Sequence, residues 1–495
     1  NNNAFGTSAL GANTTGSANN AFGFQALVSN TTANHNSAFG SSALGSNTTG
    51  ANNTGVGSNA LLLNTTGANN TAVGYLALDA NTTASNNTAL GKSALGDNTT
   101  GTQNTAVGSG ALDANTTANN NTALGHAALG DNTTGTENVA IGTFALDANT
   151  TANVNTAVGY NALSANTTAS NNTAVGTQSL LSNTTGPDNT AVGKSALTAN
   201  TTGDGNTAVG TSAMEANTTA ANSTAVGMSA LETCTTGGAN TAVGRQSLQF
   251  LTTGTNNVAM GFVAGRNITT GTQNTCLGRS AGSALTTGAD NTFVGFTAGG
   301  VGTVTGDNNT TLGSSAGKNL SSGSNNLLLG HDAGLSGSPG GPIDTESNEI
   351  VLGDENISAA HIQVSFTVAS DKRDKTDVEP VKMGLDFVNK LEPVTYKWDK
   401  RSLYVEKGED FNDVVPDGSH KENWLDVGFL AQDVEKLESE YGYNIADKTN
   451  LTTNVSENGQ QYGLTYSKFV PMLVKAVQEL STQVDELKAE IQTLK

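Results

Sequence analysis

The sequence predicts a mostly β chain. It reads as an elongated β-solenoid or β-roll of 17-residue coils over residues 1–330, a transition over 331–369, and a small α/β domain over 370–495 whose last part, 466–495, is a coiled-coil helix. Three observations carry this reading. Glycine recurs every 17 residues from Gly6 to Gly295 without a slip, the residues between carry strand and turn chemistry with little bulk, and an apolar heptad runs from Leu473 to the end.

The period comes first, because a fixed repeat decides the architecture. Seventeen consecutive intervals of 17 residues separate Gly6 from Gly295, and the next steps are 18 to Gly313, 17 to Gly330 and 23 to Gly353. Residues 70–86 are a clean copy: Asn-Thr-Ala-Val-Gly, two variable residues, Ala-Leu, two variable residues, Asn-Thr-Thr, then a small residue, a variable one and Asn. Each copy holds a small apolar set such as Val73, Ala77 and Leu78, too little to offset the entropy of ordering its own backbone. Stacked copies cover one another's apolar faces. One copy per coil then adds one parallel strand layer of ~4.8 Å, and about nineteen copies make a rod on the order of 90 Å.

The residue choices fit that plan. Thr-Ala-Val has strand character, the periodic Gly suits a corner that needs positive φ or close backbone approach, and Asn-Thr-Thr-Gly is turn chemistry. Asn at the same place in successive coils can form amide ladders. The Ala-Leu segment reads either as a second short strand or as one helical turn. Cys234 replaces the Asn of Asn-Thr-Thr and Cys276 replaces the strand Ala, so both are passive substitutions rather than a disulfide or metal pair. The Asn-Thr-Thr triplets match the glycosylation sequon but read as structural turns. In style, the repeats resemble the left-handed β-roll heads of trimeric autotransporter adhesins, whose shorter units also carry Asn/Ser-x-Ala-Val/Ile-Gly; that resemblance implies a trimeric fibre.

Charge excludes several functions. The net charge is -20; residues 1–350 hold 16 acidic and 6 basic side chains, and residues 351–495 hold 26 and 16. An acidic chain with no basic patch argues against nucleic-acid binding and against anionic membrane surfaces. No apolar run approaches the ~20 residues of a membrane span. The chain opens in mid-pattern at Asn1-Asn2-Asn3 without Met, which reads as a piece of something longer. His35 and His126 are isolated surface residues, no phosphate loop or metal-ligand spacing recurs, and neither a metal nor a cofactor is expected.

After Gly330 the period fails. Residues 334–342, rich in Gly, Ser and Pro, read as a linker; Ser347 to Gly353 reads as a last strand and turn; His361 to Ala369, alternating at Ile362, Val364, Phe366 and Val368, reads as a half-buried strand.

Ser370-Asp371-Lys372-Arg373-Asp374-Lys375 follows. It resembles the motif that opens the C-terminal intramolecular chaperone of phage tailspikes and tail fibres, the peptidase S74 family. The resemblance continues in Leu385 to Trp398, in Val427 to Glu435 and in Tyr466 to Leu480, four blocks in order over about a quarter of the chain. It implies Ser370 as nucleophile, Lys375 as general base, Asp371 and Arg373 as supporting residues, and cleavage of a bond adjoining Ser370. It implies one self-cleavage per chain and no activity on external substrates. The chemistry is consistent: a Ser hydroxyl needs a base to take its proton, and Lys becomes one when burial or a neighbouring cation favours its neutral form. A spacing of five fits neither a helix face nor a strand face, so a turn must fold Lys375 back onto Ser370, and Asp371 is placed to hold it. Asp374 departs from the family, which usually has an apolar residue there; a carboxylate beside Lys375 favours the ammonium.

From Pro471 the chain reads as a helix with a heptad seam at Leu473, Val477, Leu480, Val484, Leu487, Ile491 and Leu494. β-Branched residues at one seam position lean toward two strands, while the family resemblance implies three. Tyr396, Trp398, Trp424 and Phe429 read as core residues of the small domain. The whole reads as a homotrimeric phage tail fibre or tailspike on the virion, with a host receptor or glycan as partner and neither nucleic-acid binding nor membrane insertion. The alternative is a bacterial cell-surface adhesin using the same chaperone. A polysaccharide-degrading tailspike ranks below both, since Asp79, Asp113 and Asp147 lie in phase two periods apart with no match in the intervening copies.

Overall fold

The structure is a computed structural model that describes residues 1–338, 341–357, 359–363, 368–404, 413–456, 459 and 461–495. The chain divides into two compact units, Asn1–Thr310 and Thr311–Lys495. As the sequence predicts, it is mostly β: a solenoid of 17-residue coils, then a small domain and a C-terminal helix.

In the first unit each coil contributes one three-residue strand, from β1 (Asn3–Phe5) to β18 (Thr292–Val294). Each strand pairs in parallel with its equivalent 17 residues on, as Thr156, Ala157 and Val158 do with Thr173, Ala174 and Val175. The coils are therefore wound within one chain. The core differs from expectation at one point. From β2 (Asn20–Phe22) to β18 the central residue of each strand, Ala in most coils and Gly55, Cys276 or Phe293 in three, is the buried one, and the following residue points outward: Ala72 is fully buried and Val73 is not. A three-residue strand presents only its middle side chain to the inside. Ala72, Ala77 and Leu78 form the apolar half of one coil's core.

The polar half consists of two amide ladders. Asn81 Nδ2 donates to Asn64 Oδ1 of the preceding coil at 2.8 Å and to Ala84 O at 3.1 Å. Asn70 accepts the backbone N–H of Asn87 at 3.0 Å and donates to the same Ala84 O at 2.8 Å. Both ladders thus converge on the buried carbonyl of the turn, which accepts from each. From Asn30 to Asn217 the Asn of each Asn-Thr-Thr triplet is buried with its amide engaged, which is the structural-turn reading of those triplets. The first ladder ends at Asn217, whose Oδ1 has no partner because Cys234 follows it; Leu251, Ile268 and Leu285 then fill the same place. Burial pushes the thiols of Cys234 and Cys276 up to about 11 and about 12, which leaves both inert.

The Ala-Leu segment is neither strand nor helix. Leu76 and Leu78 both take positive φ, 58° and 52°, a left-handed conformation rare for leucine that recurs coil after coil. The alternation lets Leu76 N–H donate to Ser58 O in the coil before and Leu78 N–H to Ala94 O in the coil after. Inter-coil hydrogen bonds and a buried leucine side chain outweigh a backbone strain of ~1–2 kcal/mol per residue.

In the second unit β19 (Thr310–Leu312), whose first residue closes the first unit, pairs with β20 (Leu327–Leu329), and β20 pairs in parallel with β21 (Ile350–Leu352). The stretch 334–342 lies inside the 23-residue step between β20 and β21, and its described residues are tied in: Gly334 N–H donates to the buried Ser338 Oγ at 2.8 Å. For the strand expected over 361–369, Val364 and Phe366 lie outside the described residues, while Ile362 and Val368 are exposed and in no strand.

The small domain has helices α1 (Leu385–Lys390), α2 (Ala431–Glu440) and α3 (Phe469–Thr493), the antiparallel pair β22 (Val394–Tyr396) with β23 (Asp426–Gly428), and the hairpin β24 (Thr453–Val455) with β25 (Tyr462–Leu464). Its core is Met383, Phe387, Val434, Phe469 and Met472, with Phe429 packed against them. Trp398 and Trp424, expected in the core, are about half exposed. They line a shallow cavity with Lys400, His420, Glu422 and Glu355, where the indole N–H of Trp398 reaches Asp426 at 3.2 Å. No described helix is long and apolar enough to cross a membrane.

Candidate functional site

The segment before α1 makes the turn that the five-residue spacing requires. Asp371, extended at φ -67° and ψ 133°, caps a 3-10 turn over Lys372–Asp374 by accepting the Arg373 N–H at 2.9 Å. The Arg373 guanidinium grips the same carboxylate, with Nη2 to Oδ2 at 2.6 Å, and so holds the Asp371 carboxyl below the usual range. Asp374 N–H donates to Asp371 O at 3.2 Å and Lys375 N–H to Lys372 O at 3.3 Å. The chain reverses, and Lys375 Nζ arrives 2.6 Å from Ser370 Oγ and 3.4 Å from Ser370 O. Among the described residues Asp374 makes no ion pair with Lys375. Every residue of the turn is exposed in the single chain.

The helix that follows has two faces. Phe469, Met472 and Ala476 are buried on the domain core. Glu479, one turn on, accepts the Leu385 N–H at the start of α1 at 2.7 Å, and that bond together with Lys475 holds its carboxyl below the usual range. The seam residues Leu473, Val477, Leu480, Val484, Leu487, Ile491 and Leu494 occupy another face and all remain exposed, and from residue 480 onward the helix is exposed on every side. Four turns of helix with no tertiary contact are marginal in water.

Sequence reasoning passed over Glu438. It is fully buried in α2 and accepts from Thr452 N–H at 2.6 Å, Thr452 Oγ1 at 2.7 Å and Thr453 Oγ1 at 2.5 Å, which fastens the β24–β25 hairpin to the helix. A lone Glu in an amphipathic helix carries no signal of this; only the adjacent Thr452-Thr453 pair hints at a partner.

Two other polar groupings stand apart. His331 Nδ1 lies 3.3 Å from Asp332 and 3.7 Å from Asp354, whose carboxyl is also held by Asn356 and lies below the usual range. That arrangement is a satisfied network that could accept a cation. In the solenoid, the coils between Asp79, Asp113 and Asp147 are not empty of acid. Asp97 and Asp131 sit one repeat position later, and five carboxylates run through five successive coils. Burial, then the charge of Asp97, raises the Asp113 carboxyl above its ordinary 3.8. A carboxyl raised by folding stabilises the fold below the ordinary value and ceases to as pH rises through the folded one. Asp113→Asn is therefore expected to melt above wild type at pH 7, with the gap closing as the pH falls toward 3.8; thermal melts of the two chains across pH check it.

Residues 370–443, beginning at the Ser370 turn, match the Peptidase_S74 family model, described as the chaperone of endosialidase. Neither a curated protein nor a solved structure matches the chain.

Proposed function

We propose that residues 370–495 form an intramolecular assembly domain that brings three copies of the chain together and then detaches by cutting a peptide bond adjoining Ser370, leaving the solenoid as the shaft of a tail-fibre or tailspike-type attachment protein. A chaperone-of-endosialidase domain behind a β-solenoid fits a fibre-like trimeric protein. The observation that carries the reading is the 2.6 Å approach of Lys375 Nζ to Ser370 Oγ at the first residue of the family match.

In this reading Lys375, as the free amine, takes the Ser370 hydroxyl proton while Oγ attacks the adjoining carbonyl carbon. The Lys375 ammonium returns that proton to the leaving amine nitrogen as the C–N bond breaks, and water then hydrolyses the ester to free the carboxylic acid and the Ser370 hydroxyl. Asp371 and Arg373 hold the turn. An ammonium in water cannot accept that proton, and a lysine is driven to the amine by burial. The turn is open to solvent in one chain, so assembly, by covering it, would start the reaction. Cutting would thereby be tied to correct association, with the exposed seam from Leu473 to Leu494 closing into the bundle. Once the assembly domain has left, an unfolded shaft has no template to refold on, and its persistence becomes a matter of unfolding rate. Attachment of the shaft to a host surface extends the same reading.

The test is the mass of the purified chain beside its Ser370→Ala and Lys375→Ala variants. Wild type is expected to yield two fragments that meet at residue 370, with both variants whole. Intact wild type, or a Ser370→Ala variant that still splits, would remove the cleavage part of the proposal. The fragment masses name the bond.

A further inference from the structure

Among the outward-facing positions of the first unit, one is apolar in every coil. The residue after each periodic Gly is Thr, Ser, Phe, Tyr, Lys, His, Arg or Met from coil to coil. The residue before it, the third of every strand from Phe5 to Val294, is Val, Leu, Ile, Phe or Met in all 18 coils. None of these side chains is buried, and many are a third to a half exposed, as at Phe22, Leu90, Leu124 and Met260. The other outward position of each strand is Thr, Asn, Ser or Val, so the strand face carries no charge in any of the 18 coils, on a chain whose net charge is -20. Phe22 and Phe39 stack along this face at 5.0 Å. Scattered exposed apolar residues need no explanation, but a continuous stripe does.

The pitch identifies what covers it. Parallel strands repeat every ~4.8 Å, and a partner that meets the stripe along its whole length must present apolar groups at that same spacing. A globular protein would meet a few coils only. A copy of this chain, laid parallel and in register, meets all of them, outward residue against outward residue. Eighteen part-exposed apolar side chains leave on the order of 1,000 Å² open, against the ~800 Å² per partner of a standard stable interface. Charges on an acidic chain would oppose such contact, and they lie off this face.

We infer that the strand face of the solenoid, with its Thr and Val columns, is the surface along which copies of this chain pack side by side, parallel and in register, in the trimer. The number three rests on the reading of 370–495 given above; the choice of face and register does not.

Cysteine cross-linking of the full-length chain tests it, because Cys234 and Cys276 are fully buried. Leu124→Cys and Val226→Cys each place a thiol on the stripe, 102 residues and six coils apart. Thr117→Cys, on an exposed turn, is the control. Under mild oxidation both stripe variants are expected to give linked chain pairs on a denaturing gel, at least tenfold more than the control. Links at both positions require parallel in-register packing, since antiparallel chains bring like residues together at one level only. A third variant, Leu487→Cys, reports on the helical seam. Links at Leu487 without links at the stripe would overturn this inference and leave the assembly reading standing. Links at the stripe without links at Leu487 would support the face and count against the seam. No links at any position would remove both.

Discussion

Gly159→Ala is expected to break the solenoid at a single coil. Gly159 has φ +141°, where L side chains are strained, and a Cβ there would sit 2.5 Å from Gly176 O and 2.6 Å from Gly176 C. Those atoms are backbone of the next coil, pinned by the Gly176 N–H to Val158 O bond of 2.8 Å, so neither coil can yield without losing its ladder. Strained φ costs about 1–3 kcal/mol, and a backbone overlap of this size adds enough to place the change among the exceptional losses of roughly 4 kcal/mol or more. In a quasi-one-dimensional stack the loss falls on one interface. The melt should split into two steps, and limited proteolysis should cut near residue 159. Gly110→Ser is the control. Gly110 also has positive φ, 67°, but a Cβ there meets nothing within 4 Å, and the same position is Ser93 and Ala127 in the neighbouring coils. It should melt with wild type. One unchanged transition for Gly159→Ala would mean that the coils do not approach as described.

Glu438→Ala is expected to unfold the small domain while leaving the solenoid intact. The carboxylate is fully buried and satisfies the amide and hydroxyl of Thr452 and the hydroxyl of Thr453. Removal strands those donors in a cavity, a loss of about 3–5 kcal/mol for a buried charged hydrogen-bonded group. That is a large share of what a domain of this size has. Both tryptophans of the chain, Trp398 and Trp424, lie in the second unit, so fluorescence against denaturant reads that unit alone and circular dichroism of the repeats reads the other. A midpoint close to wild type would show that the hairpin is held by something else. The cleavage proposed at Ser370 should disappear with the fluorescence transition.

Much of the molecule was legible from periodicity. The 17-residue step named the coil, the in-register parallel pairing and the Gly corner, because a period without slips leaves one stacked solution. The amide ladder followed from Asn recurring at the same place. The reading erred where a short segment was judged by composition: Thr-Ala-Val favoured Val73 as the core residue, whereas the inside takes Ala72. It also missed the carboxylates at Asp97 and Asp131, since a count at fixed phase does not see a residue displaced by one position. The aromatic count placed Trp398 and Trp424 inside, but they remain half exposed beside a cavity.

By itself the sequence determined the coil length, the order of the parts, the residues of the Ser370 turn and the heptad, all of which are patterns in one dimension. Tertiary structure alone decided which side of each strand is covered, how Leu78 reaches the core through a left-handed backbone, and that Glu438 is the buried post of the small domain. It also decided that Lys375 meets Ser370 at hydrogen-bond distance. Those depend on which atoms lose water together, and that is a property of surfaces brought into contact by residues distant in the chain or turned by a few degrees of φ.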